Sequence, residues 1–139
     1  IVLYLAEKAQ RLFPAEPSAR ARAVQWAFAA VDTVESSMVD LFVIDKFHAD
    51  KAWAKERRPA LVATAQKRLA SLDLELAGRS YLLGEEFGAP DILMTSALRM
   101  LQHTDLLDAA PCVAAYKLRC EARPAWGKIY AAYEQRLAA

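Results

Sequence analysis

Glycine is scarce in this chain, with four among 139 residues, and runs of β-branched residues are short. A β-sandwich or barrel needs turn residues every 8–12 positions or so, and that scarcity excludes both. Cysteine occurs twice. Cys112 and Cys120 lie eight apart inside a helical pattern, which sets them about 12 Å apart along the axis, too far for a disulfide. Neither has a CxxC neighbour, and an isolated helical cysteine is read as a small hydrophobe. His48 and His103 are too few and too separated for a metal site and read as surface or capping residues, so no metal is expected. Charge of one sign is also lacking: 18 basic and 17 acidic residues leave a net charge of +1. That balance gives no electrostatic case for nucleic acid or an anionic membrane. No apolar run approaches the roughly 18 residues of a spanning helix.

What the chain does contain is helix-forming apolar residue. Hydrophobic residues are 55% of it, above the roughly 45–50% of an average domain, and alanine (29) and leucine (18) supply most of the excess. The expected fold class is all-α, in one soluble, intracellular domain. The opening Ile1-Val2-Leu3-Tyr4-Leu5-Ala6-Glu7-Lys8 starts inside an apolar helical turn with no cap. It therefore reads as a cut through a larger protein.

Pro14 and Pro17 punctuate a short connection. Beyond it Val24, Phe28, Val31, Val34, Met38, Leu41 and Phe42 recur at helical spacing, predicting one long amphipathic helix from Ser18 to Phe47. His48-Ala49-Asp50 and Lys55-Glu56-Arg57-Arg58 read as a solvated connector, with Pro59 early in the following helix. Leu61, Ala65, Leu69, Leu72 and Leu76 mark that helix's inner face, and Gly78 supplies its C′ residue. With Gly88 as N-cap of the next helix, Asp91 falls at N3, where its carboxylate can accept from the Gly88 N–H. Phe87 and Ile92 then form a hydrophobic staple. The run Ile92–Leu101 is apolar nearly all round and reads as a buried central helix. Two further helices start near Pro111 and Pro124, the last carrying Trp126, Ile129, Tyr130, Tyr133 and Leu137.

Four segments in this order resemble the C-terminal helical domain of the cytosolic glutathione transferases of bacterial type. They are Ile1–Lys8, Gln25-Trp26, Leu76–Gly84 followed by Phe87-x-x-x-Asp91-Ile92, and Cys120-Glu121-Ala122-Arg123-Pro124-Ala125. The chain departs from the family in having Gly88 where Ser or Thr is usual, a loss of a few tenths of a kcal/mol. The resemblance implies a bundle of about five helices. It implies that residues 1–16 end the last helix of a thioredoxin-like domain and form the linker, and that 17–139 are the helical domain. Glutathione would be a co-substrate held mainly by the thioredoxin-like domain, which carries the catalytic residue, so none is assigned here. The partners implied are a small apolar electrophile and a second copy of the chain, in the cytoplasm. The same fold also serves as a non-catalytic interaction scaffold.

The resemblance places five residues at the substrate. Glu35 and Ser36 align with a pair that reaches the glutathione and electrophile sites in one bacterial class, against the alternative of a solvated polar face. Val39 lies one turn on. Leu93 and Met100, seven apart on the central helix, align with residues that wall the electrophile pocket, against the alternative of plain core. Asp91, with Phe87, Gly88 and Ile92, is assigned to the structural cap rather than to acid–base chemistry.

Overall fold

The structure, a computed structural model, describes residues 1–137. Residues 138 and 139, and with them the end of the expected 17–139 domain, lie outside the described residues, as does the side chain of Leu137. Among the described residues seven α-helices follow in order: α1 (Val2–Lys8), α2 (Pro17–Phe28), α3 (Glu35–Phe47), α4 (Ala52–Leu76), α5 (Ala89–Leu98), α6 (Pro111–Glu121) and α7 (Pro124–Leu137). Among the described residues there is no strand, only an isolated bridge between Tyr81 and Gly84, and no helix is long and apolar enough to cross a membrane. The all-α expectation holds.

The helix expected over 18–47 is one continuous rod with a change of pitch. Between α2 and α3 the backbone winds as a π-helix over Ala29–Val34, where the Glu35 N–H reaches back to the Ala30 carbonyl. The hydroxyls of Ser36 and Ser37 donate to the carbonyls of Asp32 and Thr33, the latter at 2.9 Å. The burial pattern corrects the apolar stripe read from the sequence. Val34, Met38 and Leu41 are buried as expected, but Phe28 is 64% exposed and Val31 43%. The buried positions above them are Ala23, Ala27 and Ala30. Small side chains there let α2 and the π turn pack closely on α5.

The second correction concerns the charged segment. Lys55–Arg58 is not a connector: α4 begins at Ala52 and carries Pro59 inside it. His48 is the C-cap of α3, so only a few residues separate the two helices. The four residues are exposed, and two of them reach back to α3. Arg57 donates to Asp40 at 2.8 Å, and Arg58 grips Asp45 with two bonds of 2.7 and 3.0 Å. His103 Nε2 lies 3.2 Å from the same carboxylate.

Around this frame Met38, Leu41, Leu69, Leu72, Leu76, Met94, Leu98, Leu101 and Tyr116 form a contiguous core. Gly78 takes φ +73° just past α4, a left-handed turn that glycine adopts without strain. α6 has no local side-chain cap; instead Asp73 of α4 accepts the Val113 N–H at 2.9 Å. The linker is fixed too, because the Leu12 carbonyl accepts the Ala89 N–H at 2.7 Å.

The Arg58 hydrogen bonds, with a smaller contribution from His103, hold the Asp45 carboxyl below the usual carboxylate range. A depressed folded-state pKa contributes stability that is present above the unfolded value, about 3.9, and is lost as pH falls through the folded one. Urea titrations of wild type and Asp45→Asn are expected to differ by on the order of 1 kcal/mol at pH 7. The gap should narrow steadily from about pH 4 downward. An equal gap at pH 7 and pH 2 would contradict the assignment.

Candidate functional site

The central helix begins at a polar knot. Gly88 is extended (φ −131°, ψ 176°) and its N–H donates to Asp91 Oδ2 at 2.7 Å. The return half of the box comes from backbone, the Asp91 N–H donating to the Gly88 carbonyl at 3.1 Å. The other carboxylate oxygen takes two more donors, the Leu82 N–H at 3.0 Å and the Tyr116 hydroxyl at 2.8 Å. Asp91 is fully buried. Burial pushes its carboxyl above the usual range, while the Leu82 and Gly88 N–H groups, the Tyr116 hydroxyl and the Arg123 charge pull against it. Burial likewise raises the Tyr116 hydroxyl and the Cys120 thiol. Asp91 and Tyr116 commit their polar side-chain atoms to each other and to the Leu82 and Gly88 N–H groups. Phe87 meets Tyr81 edge-on at 5.5 Å.

The five residues aligned with the substrate are placed as follows. Glu35 stands half-buried at the exit of the π turn, Ser36 is exposed with its hydroxyl turned back on Asp32, and Val39 is half-buried one turn on. Leu93 and Met100 are half-buried and pack against the core. None of the five lines the clefts that open elsewhere on the domain.

One of those clefts, about 390 Å³, opens between α5 and α7. Ile92, Thr95, Ser96 and Arg99 form one wall and Trp126, Tyr130 and Tyr133 the other, with Leu12 of the linker and Phe87 at the edge. A second trough beside α1 shares Leu12, Ile92 and Arg123 with it. The sequence reading missed this cleft. Two signals were present: an arginine in an otherwise apolar helix, and aromatic residues at 126, 130 and 133 on one helical face. Among the described residues no group of three His, Cys, Asp or Glu side chains could hold a metal ion.

A family profile, "Glutathione S-transferase, C-terminal domain", matches residues 31–124. The chain belongs to the glutathione S-transferase family. Solved glutathione transferases share its fold. One from Burkholderia graminis, with two glutathione molecules bound per subunit, is 26% identical with a TM-score of 0.85, over 91% of this chain and 55% of that one. A family member from Pseudomonas fluorescens with two glutathione bound is 25% identical, TM-score 0.84, over 91% and 59%. The theta class enzyme of Xanthomonas axonopodis pv. citri with glutathione bound is 27% identical, TM-score 0.80, over 92% and 68%. The chain thus spans little more than half the length of the first two. Among curated proteins none matches significantly.

Removing the Asp91 carboxylate strands three buried donors. Asp91→Ala is expected to lose at least about 3 kcal/mol, at roughly 1–3 kcal/mol for each unsatisfied group. Tyr116→Phe removes one donor and should lose about 1 kcal/mol. Asp91→Asn, which turns an NH₂ toward the Gly88 N–H, should fall between them. Denaturant unfolding followed by circular dichroism tests the order; an Asp91→Ala variant as stable as Tyr116→Phe would contradict it.

Proposed function

We propose that this chain is the substrate-binding helical part of a glutathione transferase that joins glutathione to small apolar electrophiles. The observation that carries the reading is the likeness to the Burkholderia graminis enzyme, over 91% of this chain at a TM-score of 0.85. The family match supports it independently. On this reading residues 1–16 end a thioredoxin-like domain and its linker, 17–139 are the helical domain, and the catalytic residue belongs to the thioredoxin-like domain. That domain holds most of the glutathione. Glutathione thiolate attacks an electrophile held against the helical domain, and the electrophile's leaving group or π-bond takes up the electron pair.

In this scheme the chain's own residues position the electrophile. Glu35, Ser36 and Val39 present a short wall at the start of α3, directly after the π turn. Pitch changes of this kind recur where a helix must aim a side chain. Leu93 and Met100 form the apolar side, Met100 as a pliable surface suited to varied substrates. A cytoplasmic homodimer with a detoxifying role completes the proposal, with the exposed Phe28 and Val31 of the long helix available to a neighbouring surface.

Calorimetric titration of glutathione separates the readings. The protein with its thioredoxin-like domain present should bind glutathione saturably and turn over an aryl halide. Residues 1–139 alone should give no saturable heat. A folded protein with both domains that fails to bind glutathione would overturn the proposal and make the helical domain a scaffold.

A further inference from the structure

Between Arg22 and Lys46 the long helix carries four acidic residues, Asp32, Glu35, Asp40 and Asp45, and no basic one. Two of the four are matched across the helix pair, Asp40 by Arg57 and Asp45 by Arg58. Among the described residues Asp32 and Glu35 form no ion pair. Asp32 lies exposed within the π turn, and Glu35 stands half-buried at its exit. The neighbouring hydroxyls are already spent on backbone, Ser36 on the Asp32 carbonyl and Ser37 on the Thr33 carbonyl.

Glu35 and Val39, four apart on α3, share a helical face. The carboxylate therefore stands beside an aliphatic neighbour that offers it no donor. On the central helix the basic residue next to Met100 is Arg99, and it is turned toward α7. The centroids of Trp126, Tyr130 and Tyr133 lie 5.8, 4.8 and 5.3 Å from its guanidinium carbon. The proposed electrophile wall, Glu35, Ser36, Val39, Leu93 and Met100, thus holds a negative charge at one end and no positive charge of its own. A charge in a partly desolvated setting is screened weakly and acts over several ångströms.

We propose that Glu35 is a specificity-determining residue that selects the electrophile by charge, accepting cationic and uncharged molecules and rejecting carboxylated ones. The proposal rests on the transferase reading, which puts Glu35 beside the electrophile. Attack sharpens the selection. As the glutathione sulfur bonds to carbon, its negative charge spreads onto the electrophile, and the halide then leaves with the electron pair of the broken carbon–halogen bond. A carboxylate on the electrophile adds a further negative charge facing Glu35, whereas an ammonium group offsets it. Asp32 contributes to the same field more weakly, because water screens it.

4-Chloro-3,5-dinitrobenzoate, its amide and its aminoethyl amide share one reactive body and carry negative, zero and positive charge. Each is turned over by the protein with its thioredoxin-like domain present, and kcat/KM is divided by the rate with glutathione alone to remove intrinsic reactivity. The amide should be favoured over the acid by about tenfold, and the aminoethyl amide should equal or exceed the amide. Glu35→Gln should bring acid and amide within about twofold, and 0.5 M salt should narrow the gap in wild type. Glu56→Gln, which removes the same charge from an exposed position on α4, should leave the gap unchanged. Equal relative rates for acid and amide in wild type would overturn the proposal alone, whether or not the variants fold. So would a gap that survives Glu35→Gln with an unchanged melting curve. Glutathione binding with no turnover of any of the three would overturn the transferase reading and this proposal with it.

Discussion

A single buried carboxylate, Asp91, fixes how the second half of the domain is assembled. Three donors converge on it from the turn at Leu82, the cap at Gly88 and the middle of α6 at Tyr116. A polar side chain in a dry interior is tolerable only when its hydrogen-bonding capacity is met. Here each partner also loses its own alternative to water, so carboxylate, turn and helix become mutually dependent. The adjacent Leu12 carbonyl, bonded to the Ala89 N–H, extends the same fixed point to the linker. Leu12 itself sits at φ +63°, a costly conformation for leucine, and this bond is among the contacts that hold it there.

The long helix illustrates a different constraint. A buried central helix must have neighbours on every side, and close approach demands small residues. The alanines at 23, 27 and 30 provide it, and the buried face continues from them at helical spacing through Val34, Met38 and Leu41. The same geometry turns Phe28 and Val31 outward. Packing around α5 therefore sets both what is buried on the long helix and what is left for another surface to cover.

These two constraints differ in how far they can be read from residues alone. The Gly88–Asp91 spacing is visible in the sequence because a cap is a local event. The shares held by Leu82 and Tyr116 are not, because they join segments 9 and 25 residues away. Proline and glycine mark the starts of α6 and α7 and the end of α4 for the same local reason. Large side chains at helical spacing point to Phe28 and Val31, whereas the packing selects alanine, whose small size gives no strong signal. The exposed Lys55–Arg58 run reads as a connector because the partners of Arg57 and Arg58, Asp40 and Asp45, lie on another helix. The α5–α7 cleft brings Arg99 beside rings on another helix, and the spacing of those rings shows a shared face without showing what meets it.

The central claim, that the Asp91 knot is part of the global fold and not a local ornament, is most directly tested by native-state amide hydrogen exchange. The Leu82 and Gly88 N–H groups donate to a fully buried carboxylate, so they should exchange only through global unfolding, with the same free energy as core amides such as Leu98. Exchange of either at a markedly lower free energy, while Leu98 stays protected, would show that the knot opens by itself and would contradict the account.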